Sequence, residues 1–141
     1  MSDPLPAIPF ALACGVQLEA TTREEVTGAM AWAPERTTAG GALHGGSLMT
    51  LGDTLGAVCA HLNLADGCTT TTVESKTNFF RAVRAGAVRG RARPLHAGRR
   101  FIVVQTDLYD ERGRLVAQVT QTQAVLEPAP TGVPGPPEGQ A

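Results

Sequence analysis

One segment constrains the fold more than any other: residues 43–65, "LHGGSLMTLGDTLGAVCAHLNLA". It holds one formally charged side chain, that of Asp53, in an otherwise apolar or small-residue run. At about 100° per residue on a helical wheel, apolar side chains form one stripe with the spacing of a core-facing side. The members of this stripe are Leu48, Leu51, Leu55, Val58 and Leu62. Residues 46–62 are therefore predicted to form one long, largely buried helix.

Asp53 falls nearly opposite that stripe, although an unpaired buried charge costs several kcal/mol unless its pKa shifts. A solvated helix face would explain it, but such a face normally carries Lys, Glu and Arg. Here the same face carries Gly46, Met49, Thr50, Gly56, Ala57 and Ala60. We expect a partner subunit or a substrate to cover this face, which makes Asp53 a candidate functional carboxylate.

Extended runs surround the predicted helix. "VQLEAT" and "EVTGAMAWAP" precede it as a hairpin, and four runs of period two follow Gly67. In the first of these, Thr71, Val73, Ser75, Thr77 and Phe79 are expected on one face, and Pro94 in the second predicts a bulge or an edge. The order predicts an α+β fold, in which a meander of antiparallel strands wraps round one long central helix.

Composition bounds the remaining choices. Residues 1–126 are predicted to form a single domain, and residues 127–141, with five prolines, a disordered tail. A net charge of −1 argues against nucleic acid, and Asp53 and several glycines make residues 43–65 a poor membrane span. Three cysteines without a CxxC pair favour reduced thiols, so we expect a cytoplasmic protein.

The "HGG" at residues 44–46 strengthens the case for a site. A helix start offers unpaired N–H groups and the positive end of the helix dipole, which suit a developing oxyanion. Glycines there allow a ligand to approach the backbone closely. Asp53 lies about two turns further along, so a substrate carbonyl over the first turns is expected to touch both features.

These residues resemble the hotdog-fold acyl-CoA thioesterases, in particular the phenylacetate-degradation and 4-hydroxybenzoyl-CoA thioesterase group. The resemblance rests on "LHGGSLMTLGDTLGAVCA", "TNFFRAVRAG" and "LHAGRRFIVVQTDLYDERGRLVAQVT", and it covers roughly residues 16–126. It implies a hotdog fold, homodimers that assemble into homotetramers, and hydrolysis of acyl-CoA thioesters. It implies no metal and no cofactor beyond the coenzyme A of the substrate.

The resemblance also implies roles for particular residues. Asp53 becomes the catalytic carboxylate, as nucleophile or as general base on water. The N–H of Gly45, together with that of Gly46, would polarise the thioester carbonyl, and His44 would shape the loop that presents them. The 4-hydroxybenzoyl-CoA branch commonly has Glu at the place of Asp53, which favours the phenylacetate branch.

Substrate binding is implied for four further residues. Arg81 matches a position that contacts the nucleotide end of coenzyme A, and Arg99 and Arg100 lie where the family meets its phosphates, which guanidinium groups bind well. Thr38 stands where the family usually has Asn or Gln to hold the substrate.

Two other functions stay open. A hydratase or dehydratase of the same fold would pair a catalytic His with its acid, and a non-catalytic acyl-CoA binding module would keep the arginines. Ser47 lacks the GxSxG context of a serine hydrolase, and Cys59 is expected to pack in the core. The acyl group, aryl or medium-chain, is not determined by the sequence.

Overall fold

The computed structural model describes residues 2–132. Two α-helices, α1 and α2, span Pro9–Ala13 and Gly45–Leu62, and 3-10 turns span Leu5–Ala7 and Pro34–Arg36. The six strands, β1 to β6, are Val16–Thr21, Val26–Ala31, Thr69–Phe79, Ala87–Ala97, Phe101–Tyr109 and Leu115–Leu126. The predicted long helix is confirmed. Of the predicted tail, residues 133–141 lie outside the described part of the chain.

All six strands form one antiparallel sheet in the order β1-β2-β4-β5-β6-β3. Helix α2 contacts every strand, so the predicted α+β sheet round one central helix is confirmed. The predicted meander is wrong in one respect, because β3 pairs with β6 at the far edge while β4 pairs with β2. The mostly exposed, polar β3 suits an edge, whereas β4, β5 and most of β6 alternate between buried and more accessible residues.

The leucine stripe of α2 packs against one face of the sheet. Leu55 is 0% exposed and enters a hollow formed by Gly28 of β2 and Gly90 of β4, which face each other in the register. A Cβ on Gly28 would lie 2.8 Å from Leu55 Cδ2, and a Cβ on Gly90 would overlap Leu55 Cδ1. The two glycines thus make room for the helix against the middle of the sheet.

A second side of α2 is packed against β6. A Cβ on Gly52 would lie 2.5 Å from Val119 Cγ2, and a Cβ on Gly56 would overlap the Gln121 amide. The expectation that a partner or substrate covers this whole small-residue face is therefore wrong at Gly56, which Gln121 of the same chain covers. Met49, at 41% exposure, and Asp53 stay accessible on the open side of the helix.

A bulge changes the face that β3 presents. The register with β6 shifts between Thr72 and Glu74, so Val73 is an extra residue. Thr72 therefore shares the inward face with Ser75, opposite the buried Gln123 and Gln121, and the prediction that Thr71 lies on that face is wrong. The bulge predicted at Pro94 is confirmed by a register shift between Pro94 and His96.

Candidate active site

His44 caps the start of α2. Its backbone is extended, with φ −61° and ψ 139°, and its Nδ1 accepts a hydrogen bond from the Gly46 N–H at 2.8 Å. The His44 carbonyl accepts from the Ser47 N–H at 2.8 Å, while its own N–H donates to the Arg36 carbonyl at 2.9 Å. Ser47 Oγ donates to the same Arg36 carbonyl at 2.9 Å. The preceding loop is thus fixed to the first turn of the helix.

Gly45 provides the open backbone donor at this helix start. Within residues 2–132 its N–H has no acceptor, whereas the N–H of Gly46, predicted as a second donor, is taken by His44. The Phe79 ring lies over Gly45, where a Cβ would be 3.2 Å from Phe79 Cζ. Gly45 and Phe79 line a groove of about 350 Å³ together with Leu48, Phe80 and Arg81. A carbonyl oxygen in this groove can reach one N–H at the positive end of the helix dipole.

Asp53 lies in the middle of α2 with one oxygen turned inward. Its Oδ1 accepts a hydrogen bond from Gln121 Nε2 at 3.4 Å, and Gln121 is fully buried. Desolvation by the surrounding protein raises the pKa of Asp53, and the hydrogen bond from Gln121 partly opposes this rise. A carboxylate with a raised pKa is a stronger base than an ordinary aspartate, as a general base acting near neutral pH requires.

Gly45 and Asp53 are too far apart to act on one carbonyl within one chain. Eight residues separate them, which at 1.5 Å per residue is about 12 Å along the helix. A carbonyl bound to the Gly45 N–H has its reacting carbon within about 4 Å of that nitrogen. Ideal helix geometry therefore argues against one carbonyl touching both features of the same helix.

The predicted coenzyme A contacts fall into two regions. Arg81 is exposed beside the Gly45 groove, and its backbone N–H donates to the Val116 carbonyl at 3.3 Å. Arg99 and Arg100 lie in the turn between β4 and β5, and the Arg100 carbonyl accepts from the Val125 N–H at 2.9 Å. Nine residues of β6 separate Val116 from Val125, which corresponds to about 30 Å. One chain does not bring the three arginines together.

Thr38 is exposed in the loop before α2. Its backbone N–H donates to the Ala42 carbonyl at 2.8 Å, and its carbonyl accepts from the Gly41 N–H at 3.2 Å. The loop backbone is thereby held in a tight turn on the same side of the molecule as His44.

Two site residues were not predicted from the sequence as individual candidates. Gln121 contacts Asp53, and Phe79 covers Gly45. A signal for Gln121 exists in "VTQTQAV", where strict alternation puts two amides on the face that carries Val119. For Phe79 no local signal exists, since its contact depends on where β3 joins the sheet.

A second cavity, of about 430 Å³, lies along the carboxyl-terminal half of α2, and Asp53 is not among the residues that line it. Ala57, one helical turn after Asp53, and His61 line it, together with Val58, Ile8 and Thr70. Most of its surface is apolar, so it suits a hydrophobic group.

Residues 2–132 contain neither a candidate metal site nor a candidate membrane-spanning helix. No three His, Cys, Asp or Glu side chains come close enough together to hold a metal ion there. In the same part of the chain, no helix has the length and apolar character needed to cross a membrane.

Solved structures share this architecture. A thioesterase from Haemophilus influenzae superposes with a TM-score of 0.81 and 27% identity, covering 88% of this chain and 87% of that one. A phenylacetic acid degradation-related protein from Ralstonia eutropha gives a TM-score of 0.77 and 28% identity over 86% of this chain and 92% of that one. The predicted hotdog fold is thereby confirmed.

Sequence relatives agree. The 1,4-dihydroxy-2-naphthoyl-CoA hydrolase of Escherichia coli (strain K12) is 37% identical over 86 residues, which is 61% of this chain and 63% of that protein. The matched part thus spans less than two thirds of that relative. Residues 40–117 match the model of the family described as the thioesterase superfamily. Since this match covers more than half of the chain, the chain belongs to the thioesterase superfamily.

Proposed function

We propose that this protein hydrolyses acyl-CoA thioesters to a free acid and coenzyme A. The observation that carries the proposal is that helix α2 presents both a free N–H, at Gly45, and a carboxylate of raised pKa, that of Asp53, which two copies of the chain can bring to one thioester. Membership of the thioesterase superfamily supports the same reaction.

In the proposed mechanism, the Gly45 N–H accommodates negative charge that develops on the thioester oxygen. Asp53 takes a proton from water as the water oxygen bonds to the carbonyl carbon. Collapse of the tetrahedral intermediate breaks the carbon–sulfur bond, and the proton held by Asp53 passes to the leaving thiolate. In the alternative, an Asp53 oxygen attacks the thioester carbonyl carbon, the carbon–sulfur bond breaks and the coenzyme A thiolate leaves, and water then opens the resulting anhydride to the free acid and the Asp53 carboxylate.

The site is proposed to need two copies of the chain. Since about 12 Å separates Gly45 from Asp53 along one helix, a thioester at Gly45 would meet Asp53 of the partner subunit. Strand β3 supports dimerisation, because within residues 2–132 it pairs on one side only and Val73, Phe79 and Phe80 are 62%, 49% and 53% exposed. Assembly of such dimers into a homotetramer, and a cytoplasmic location, stay predictions from the sequence.

The acyl group is proposed to occupy the apolar cavity that begins at Ala57, one helical turn after Asp53. Its volume of about 430 Å³ is enough for an aryl or a medium-chain acyl group. The named substrate of the Escherichia coli relative, 1,4-dihydroxy-2-naphthoyl-CoA, gives aryl esters a place in any first panel.

Release of free thiol from a panel of aryl- and alkanoyl-CoA esters tests the activity. Asp53→Asn should lower turnover by at least 10²-fold, while Asp66→Asn, at an exposed carboxylate after the helix, should leave turnover unchanged. Wild-type turnover in the Asp53 variant would refute the role of Asp53. Binding of the esters without turnover by the wild type would favour a binding module, and a hydrated product would favour a hydratase.

Single turnover in H₂¹⁸O with enzyme in excess detects an anhydride intermediate that water opens at its aspartyl carbonyl. General-base attack puts ¹⁸O directly into the acid product, whereas an anhydride intermediate opened at its aspartyl carbonyl leaves ¹⁸O in Asp53.

Mixed oligomers test the shared site. Asp53→Asn and Gly45→Val subunits, each inactive alone, should regain about a quarter of wild-type activity when exchanged at equal amounts, since half of the two-fold dimers then hold one intact site. If Gly45 and Asp53 of one chain form the site, mixing restores nothing.

Arg81 is proposed to contact the nucleotide end of coenzyme A. Arg81→Ala should raise KM for CoA esters more than for short pantetheine thioesters, whereas Arg84→Ala, at an exposed arginine three residues later, should change neither. Equal effects of Arg81→Ala on both esters would contradict this contact.

A further inference from the structure

Two amide side chains are buried on the inward face of β6. Gln121 and Gln123 are 0% and 1% exposed, in a core that is otherwise mostly apolar. Burial of an amide is unfavourable unless its polar atoms are hydrogen-bonded. Gln123 Nε2 donates to Thr72 Oγ1 at 2.7 Å, a contact of ordinary length within the sheet. Gln123 therefore has a structural partner on the neighbouring strand.

Gln121 is placed differently. Its Nε2 donates to Asp53 Oδ1 at 3.4 Å, and its Oε1 has no partner within residues 2–132. A leucine or methionine would fill the same volume without an unpaired oxygen. The contact with Asp53 is thus the one interaction that an apolar side chain there would lose.

The backbone and the helix fix the Gln121 amide from two sides. Its strand position pairs with Val104 of β5 and with Ser75 of β3, so β6 is held on both edges. Its amide oxygen lies against Gly56, where a Cβ would overlap it. Gly56 follows Asp53 by three residues on the same helix, so the amide spans the helix surface between them.

We propose that Gln121 is a positioning residue for Asp53, an inference that rests on the proposed thioesterase function. Its N–H holds Oδ1 against the sheet and leaves Oδ2 directed to the open side of the helix, where water and the thioester approach. The same hydrogen bond favours the charged carboxylate over the neutral acid, which opposes the cost of desolvation. Gln121 itself touches neither the thioester nor the water.

The test compares Gln121→Met with Gln123→Met, which removes a second buried amide two residues along the same strand face. Gln121→Met should lower kcat about tenfold, the range for a hydrogen bond to a charged group, with KM little changed. It should also move the acidic limb of the kcat/KM profile to higher pH, because the carboxylate loses a donor. Gln123→Met should lower the thermal midpoint of unfolding while leaving the pH profile in place.

Two further variants keep the inference testable if Gln121→Met does not fold. Gln121→Asn retains an amide one methylene too short to reach Asp53, and Gly56→Ala leaves Gln121 intact but displaces its amide. Both should reproduce the lower kcat and the shifted acidic limb. Unshifted pH profiles in these variants would overturn the inference.

Asp53→Asn separates this inference from the proposed function. Loss of turnover in Asp53→Asn, with Gln121→Met behaving like Gln123→Met, refutes the positioning role alone. Wild-type turnover in Asp53→Asn refutes both.

Discussion

The hollow that Leu55 enters gives a quantitative test of the packing. Leu55→Ala removes a side chain with 0% exposure and should lower the free energy of unfolding by about 3–5 kcal/mol. Gly90→Ala adds a methyl group that overlaps Leu55 Cδ1 and lies 2.9 Å from Leu108 Cδ2. Such overpacking should destabilise the fold by about 1–3 kcal/mol.

The double variant, in which both residues are replaced by alanine, tests whether Leu55 and Gly90 share the same space. In Leu55→Ala/Gly90→Ala, the new methyl group at residue 90 occupies space that the leucine has left. The combined loss should therefore be smaller than the sum of the single losses by about 1 kcal/mol or more. Gly28 is the matched control, because a Cβ there lies 2.5 Å from the backbone carbonyl oxygen of Gln17 as well as 2.8 Å from Leu55 Cδ2. Truncation of Leu55 cannot relieve that backbone contact, so Leu55→Ala/Gly28→Ala should show less coupling.

Urea unfolding followed by circular dichroism measures these effects. All variants are compared at one protomer concentration, since the stability of an oligomer depends on it, and at an unchanged m-value. Additivity of Leu55→Ala and Gly90→Ala within about 0.3 kcal/mol would refute the argument that the glycine hollow exists to seat Leu55.

Three further predictions follow from single side chains. The raised pKa of Asp53 means that the fold disfavours the charged form of this side chain. Asp53→Asn should therefore unfold at a higher temperature than wild type at neutral pH, and this difference should vanish at a pH below the pKa of Asp53 in the unfolded state. A lower midpoint of thermal unfolding for Asp53→Asn at neutral pH would contradict this. Burial raises the pKa of the Cys59 thiol to about 11, so a thiol reagent should label the two less buried cysteines first and Cys59 only on unfolding; equal native rates at all three would count against it. His44→Ala removes the acceptor that caps α2 and should lower the free energy of unfolding by about 1 kcal/mol, while His44→Asn, which keeps an acceptor, should lose less.

Local patterns in the sequence were enough to predict the long helix and the bulge at Pro94. The leucine stripe predicted α2 to within one residue at its start, because a helix that packs on a sheet must repeat its apolar side chains with the helical period. Pro94 predicted its bulge because proline lacks the N–H that a ladder needs. Both signals lie within a few residues of the feature that they predict.

The pairing of strands that are distant in sequence could not be predicted from such local patterns. Nothing near residues 69–79 indicates that β3 joins β6 rather than the next strand along the chain. The bulge at Val73 changes which side chains face inward, and an alternation rule applied across it assigns Thr71 to the wrong face. Each error arises where the partner is distant in sequence.

The site residues also fall into two groups, those that a local sequence pattern identifies and those whose contacts depend on distant parts of the chain. Asp53 and Gly45 stood out from their immediate neighbours, as a lone carboxylate and as a glycine before a helix. The contact between Gln121 and Asp53 spans 68 positions and depends on how β6 lies against α2. Helix geometry alone gives the separation of Gly45 from Asp53, about 12 Å. What this separation implies for the site depends on a second copy of the chain.

The strand order has a consequence for how the chain folds during synthesis. The hollow for Leu55 is completed only by Gly90, so, within residues 2–132, β1 and β2 are the only paired strands available to cover the leucine stripe of α2 while 35 further residues are made. At ~5–20 residues per second this interval is roughly 2–7 seconds. Strand β3 waits longer still, because its only partner in the described sheet, β6, ends at Leu126. Two of the five strand pairings in the described sheet, β2 with β4 and β3 with β6, join strands far apart in the sequence, and such pairings slow folding. The apolar stripe of the nascent helix is therefore fully covered only when translation of the domain is nearly complete.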